Sequence, residues 1–185
     1  MLGFRKLKGE RLKVKGERLK VKGIFFLLLS ITIFQFSLSS CEGTSFQSSV
    51  PRYPVHVIID TDRAEFVTFK NPSATEYIIL NREGYFLNGR FLRTRDVMDA
   101  YGYGGVVIYA NMVGGMDAYD LACPYCAKRG TCSPCEVDGM YATCPLCGEE
   151  YDLASGTAVP TKGIANEYLL RLNLIRSGNK ITVSQ

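Results

Sequence analysis

A mostly β, antiparallel sandwich or small barrel is the fold this sequence predicts, with two cysteine-bearing knuckle loops at one end. Three observations point there. Apolar runs are short, and turn residues separate them, as in Val55–Ile59, Tyr77–Leu80, Gly84–Leu87 and Val106–Tyr109. Turn signals sit between alternating runs, at Gly114-Gly115, Asp138-Gly139 and Ser177-Gly178-Asn179. Six of the seven cysteines fall in three C-x-x-C pairs between Cys123 and Gly148.

The bulk numbers limit the partners. An apolar share of 46% in 185 residues allows one domain with a real core. The net charge of +4 belongs to the N-terminus, where residues 1–40 hold nine Lys/Arg and two Asp/Glu. The remainder is mildly acidic and offers no basic field for nucleic acid.

The first 40 residues read as a signal peptide. Residues 9–15 and 16–22 repeat Gly-Glu-Arg-Leu-Lys-Val-Lys, an overlong basic n-region without a heptad seam. Ile24–Leu38 follows, an apolar run of 15 residues, which suits a signal h-region better than the roughly 20 residues of a spanning helix. Leu38-Ser39-Ser40-Cys41 resembles a bacterial lipobox, which implies cleavage and lipidation at Cys41. The expected location is therefore the bacterial cell envelope, with the chain held at a membrane by its lipid. No paired arginines mark a twin-arginine signal, so export by the unfolded route is expected. Such a compartment permits disulfides. Residues 41–54, rich in Ser and with two prolines, read as a tether, and 55–185 as the domain.

Within the domain, Val55–Ile59 reads as a strand closed by Asp60-Thr61-Asp62. Glu65–Lys70 alternates and reads as a second strand ending at Asn71-Pro72. Tyr77–Leu80 and Gly84–Leu87 pair across a polar turn, and Asp96–Tyr101 has room for one helical turn. Tyr101-Gly-Tyr-Gly-Gly105 matches no phosphate or dinucleotide loop and is read as a tight approach to the strand Val106–Tyr109. Gly114-Gly115 turns this strand into Met116–Ala122, which delivers the chain to Cys123. Asp138-Gly139 predicts a hairpin that returns to Cys144. Tyr168–Ile175 and Lys180–Ser184 form a closing hairpin, expected at an edge of the sheet. Asp117, Asp120 and Asp152 are read as strand-end and turn-capping residues.

The chemistry lies in the cysteines. Cys123 and Cys126 form one knuckle, Cys144 and Cys147 another, with seventeen residues between the pairs. That spacing matches a four-cysteine zinc pattern. Cys132 and Cys135 lie between the knuckles and are available as a disulfide or as alternative ligands. No histidine stands beside a cysteine as a base and no G-x-S-x-G is present, so an enzyme is not well supported and an electron carrier or binding module is expected instead. The C-x-x-C pairs lack the βαβ context of a thioredoxin-like oxidoreductase.

Ala118–Pro124, Cys144-Pro-Leu-Cys-Gly148, Tyr151–Gly156, Gly163-Ile-Ala165 and Leu170-Arg-Leu172 together resemble a Rieske domain, most like its lipid-anchored bacterial members. The resemblance implies an antiparallel β fold and a [2Fe–2S] cluster in an electron-transfer protein, with a redox protein as partner. Cys123 and Cys144 stand at that family's cysteine ligands, Tyr125 at its first histidine and Cys147 at its second. The sole histidine, His56, lies in an early strand, so a two-histidine center is excluded. Three outcomes remain open for Cys123, Cys126, Cys144 and Cys147. They are an all-thiolate [2Fe–2S] cluster, zinc, or disulfides without metal.

Overall fold

The computed structural model describes residues 48–185. The expected leader with its basic repeat, Cys41 and the start of the expected tether lie outside the described residues. Thirteen strands are the main regular structure among the described residues. They are β1 (Val55–Asp60), β2 (Tyr77–Leu80), β3 (Gly84–Leu87), β4 (Arg90–Thr94), β5 (Ala100–Tyr101), β6 (Val106–Ala110) and β7 (Met116–Asp120). After the single helical turn α1 (Pro124–Ala127) come β8 (Glu136–Asp138), β9 (Tyr141–Thr143), β10 (Glu150–Asp152), β11 (Val159–Lys162), β12 (Arg171–Ser177) and β13 (Lys180–Ser184). Among the described residues, no helix is long and apolar enough to cross a membrane.

Two sheets result, and every strand pairing is antiparallel. The larger runs β4-β3-β2-β6-β7-β12-β13-β1-β5, and the smaller runs β11-β10-β9-β8. Of the two architectures expected, the closed barrel is not formed, because the end strands β4 and β5 do not pair. Their chemistry keeps them apart. β4 is an exposed edge carrying Arg90 and Arg93, and β5 has only two residues. β12 links the two halves of the large sheet. Its first residues pair with β7 and its remaining ones with β13.

The core has two compartments, and β6 and β7 separate them. Val106 and Ile108 of β6 face one cluster, with Val57, Ile59, Ile78, Leu80, Ile181 and Val183. Val107 and Tyr109 face the other, with Tyr119, Tyr151, Leu153 and the cysteines. Side chains alternate along a strand, so burial on both faces needs a continuous apolar run, and Val106–Ala110 supplies one. Two tyrosine hydroxyls stitch the sheets together. Tyr77 donates to the Val137 carbonyl and Tyr109 to that of Gly139, both at 3.1 Å. Their rings stack 6.4 Å apart.

Several expectations need correction. Glu65–Lys70 is not a strand but a turn running into a 3-10 helix over Val67–Lys70. Phe66 and Phe69 are both buried, and residues three apart share a side in a 3-10 turn but not in a strand. In Asp96–Tyr101, expected to have room for one helical turn, Asp96–Asp99 forms a reverse turn, with the Asp99 amide on the Asp96 carbonyl, and Ala100–Tyr101 is β5. The closing hairpin β12–β13 is internal, because β1 pairs along β13 from His56↔Ser184 to Asp60↔Lys180. The Asp138-Gly139 hairpin exists, with its turn one residue later. Asp138 pairs with Tyr141, leaving Gly139 (φ +56°) and Met140 as the turn. In the expected tether, the described residues lie against the domain. Val50 is buried, the Ser49 amide donates to Glu167, and Gly102 donates to the Pro54 carbonyl.

The glycine run is a tight approach to β6, held by Asp120. This buried carboxylate accepts from the amides of Tyr103 (2.7 Å), Gly104 (2.8 Å) and Ala122 (2.9 Å). A Cβ at Gly104 would overlap the backbone of Ala122, the residue before Cys123. Gly104→Ala is therefore expected to lower unfolding free energy by about 2 kcal/mol, read from the urea midpoint. Tyr109→Phe, which removes one stitch between the sheets, should cost about 1 kcal/mol in the same assay.

Candidate metal centre

Each knuckle is placed by a short element that ends beside it. β7 runs into Cys123, where Pro124 starts α1 and the turn carries Cys126 inward. The Ala127 amide closes that turn on the Cys123 carbonyl at 2.9 Å. β9 ends at Thr143, and the second knuckle follows. Cys144 donates its amide to the Glu149 carbonyl (2.8 Å), and Gly148 donates back to the Cys144 carbonyl (2.9 Å). Pairing of β9 with β10 brings the chain back under this loop.

The two knuckles meet. The sulfurs of Cys123, Cys126, Cys144 and Cys147 all lie within 4.8 Å of one another and can hold a metal ion. Across the knuckles, Cys123 Sγ stands 3.6 Å from Cys147 Sγ, and Cys126 Sγ 3.7 Å from Cys144 Sγ. Cys123, Cys126 and Cys144 are buried, and Cys147 is half-buried. All six cysteines from 123 to 147 are free thiols.

Polar groups converge on this sulfur group. Tyr151 Oη lies 3.4 Å from Cys123 Sγ, in hydrogen-bond reach. The Cys126 amide also bonds the Cys123 sulfur, and the Glu149 amide bonds that of Cys147. Cys123 is the natural thiolate of the set. The neighbouring Cys135 thiol foremost, then Tyr151 and the Cys126 amide, hold it down to about 4. Burial pushes Cys126 up to about 11 and raises Cys147 as well. Burial also drives the Tyr151 hydroxyl upward, so it stays a donor.

The remaining expected residues divide. Cys135 is buried beside Cys123, whereas Cys132 is exposed on the loop between the knuckles. Tyr125 is half-buried outside the sulfur group, with the Arg129 guanidinium 4.0 Å over its ring. The neighbouring Cys126 points to the sulfurs instead. His56 is an exposed residue of β1, and Cys41 lies outside the described residues. Asp152 caps a turn by accepting the Ala154 amide, while Asp117 bonds Arg171 and Asn111.

Two residues that support the centre escaped the sequence reading. Glu149 is 1% exposed, and its carboxylate accepts the amides of Ile164 (2.7 Å) and Ala165 (3.0 Å). It thereby ties the second knuckle to the loop before β12. Tyr151 is the other. Strand parity was the signal available, since 149 and 151 share a face and Tyr151 points inward from β10.

No protein-family model matches the chain, and no curated protein matches it.

Cys144→Ser should destabilise the domain by more than about 4 kcal/mol in denaturant titrations, whereas Cys132→Ser should stay within about 0.5 kcal/mol of the parent. Glu149→Gln replaces one carboxylate acceptor with an amide donor against two backbone donors. It is expected to cost about 2 kcal/mol in the same titrations.

Proposed function

We propose that this chain is a lipid-anchored protein of the bacterial cell envelope, with a β domain of Rieske-like outline stapled by one zinc ion. Cys123, Cys126, Cys144 and Cys147 would hold the ion. In this reading the protein is a structural or binding module rather than an enzyme. The lipid anchor rests on Leu38–Cys41, and the Rieske-like outline on the motifs from Ala118 to Leu172.

One observation supports the single ion above all, the mutual 4.8 Å limit on the four sulfurs. Four thiolates at about 2.3 Å from one zinc form a tetrahedron whose edges are about 3.8 Å. The cross-knuckle separations of 3.6 and 3.7 Å match such edges. An all-thiolate [2Fe–2S] cluster, the basis of the electron-transfer reading, has two metal ions in its core and spreads its two thiolate pairs along the axis joining them. The compact sulfur group fits that arrangement less well. Export of an unfolded chain, which the leader implies, also favours an ion acquired after export over a cluster assembled before it.

The role of the ion follows from what it joins. β8, β9 and β10 have three residues each, too few to make a stable sheet alone. Zinc would crosslink α1 to the loop after β9 and supply a large share of the folding free energy of this end. Bound zinc supplies two positive charges that offset the charge of the thiolates.

Elemental analysis of the purified full-length chain tests this directly. About one zinc per chain is expected, with a thermal midpoint that falls on chelation and recovers with added zinc. About two irons and two inorganic sulfides per chain would replace this reading with the electron carrier. Thiolates must be deprotonated to bind, so the metal should leave as pH falls, and loss on alkalisation instead would contradict thiolate ligation.

A further inference from the structure

Among the described residues, two thiols remain outside the four-sulfur group, and both lie on the loop that hangs from α1. The amide and hydroxyl of Thr131 bond the Cys126 carbonyl, at 3.1 and 3.2 Å, so the loop is tied to the first knuckle. Further along, an isolated bridge pairs Pro134 with Ala122, and the Cys135 amide donates to the Leu121 carbonyl at 2.8 Å. These bonds fix Cys135 alongside the strand end that carries Cys123. The Cys135 thiol is 3% exposed, and its polar partner is the Cys123 sulfur. Cys132, three residues earlier, is the one exposed cysteine among the described residues. Partial burial raises the Cys132 thiol, so its thiolate, and any oxidation that starts from it, is favoured as pH rises. The loop therefore runs from an open thiol, through a C-x-x-C spacing, to a buried thiol held alongside the strand end that carries a candidate metal ligand.

We propose that Cys132 and Cys135 form a thiol relay through which a hydroperoxide oxidises the metal centre, leaving a Cys123–Cys135 disulfide and releasing the ion. The release half of this proposal rests on the zinc reading above. In the first step the Cys132 thiolate attacks the peroxide, the O–O bond breaks, and Cys132 sulfenic acid and an alcohol (water, from hydrogen peroxide) form after protonation. The Cys135 thiol then displaces the sulfenic hydroxyl as water, giving a Cys132–Cys135 disulfide. Cys123 attacks the Cys135 sulfur next, and Cys132 leaves as a thiolate. Across the three steps two thiols lose two electrons, and the peroxide is reduced to alcohol and water. A C-x-x-C disulfide in a short loop is strained, and strained, exposed disulfides exchange readily, which favours the last step. Loss of Cys123 from the ligand set opens the centre.

The test treats the full-length, zinc-loaded chain with hydrogen peroxide. Zinc release is followed with a chromogenic chelator, and disulfides are mapped by mass spectrometry after cleavage by trypsin and a Glu-specific protease. Cleavage after Glu136 separates Cys132 and Cys135 from Cys144 and Cys147. Release is expected to accompany a Cys123–Cys135 link, and Cys132→Ser should slow it several-fold while leaving zinc content unchanged. Equal release rates in parent and Cys132→Ser would overturn the relay. So would a map showing only Cys123–Cys147 and Cys126–Cys144 links. Should the purified chain carry no zinc, the zinc reading fails, and the disulfide map of the same oxidised protein still decides the relay.

Discussion

Four sulfur atoms from two separate loops have to share a space 4.8 Å across, and the smaller sheet is built around that requirement. Four thiolates this close repel one another strongly, and four thiols are weak, poorly directed hydrogen-bond partners. Tyr151 and the amides of Cys126 and Glu149 point donors at the group, which suits negative charge on sulfur. A cation at the center, as proposed above, would resolve the repulsion that these donors only moderate. Strands of three residues and a single helical turn are short elements on which to mount the two loops.

The rest of the domain supplies a rigid base. β6 and β7 are buried on both faces, so the strand that delivers Cys123 is fixed by packing from the mostly aliphatic core on one side and the cysteine compartment on the other. Asp120 anchors the same point by holding three backbone amides around the approach to Cys123. Glu149 does the equivalent for the second knuckle, with two amides of the loop before β12. Each knuckle thus has a buried carboxylate within three residues, used as a backbone clamp and placed short of the sulfurs.

Much of this was legible in the residues. Strand–turn alternation marked β1, β2, β3, β6 and the final hairpin, because each depends on local pattern. C-x-x-C spacing marked the four sulfurs, because a knuckle is a local turn and only the meeting of two knuckles is tertiary. What escaped were features decided at long range. The pairing of β1 with β13 joins the two ends of the domain and leaves no trace in either segment alone. β4 was overlooked although Asn88-Gly89 is a strong hairpin signal, and Asn88 adopts φ +48° at that turn. Phe66 and Phe69 fitted an alternating reading until their shared burial showed a spacing of three. Glu149 and Glu150 follow the second knuckle as identical neighbours, with nothing but strand parity to tell them apart in the local sequence. Only the loop at 163–165, brought in from beyond β11, gives its carboxylate a partner.

X-ray absorption at the metal edge of the purified full-length chain tests the central claim most directly. One ion enclosed by both knuckles predicts a single shell of four sulfurs at about 2.3 Å. Metal–metal scattering, or oxygen and nitrogen in place of any of the four sulfurs, would contradict it.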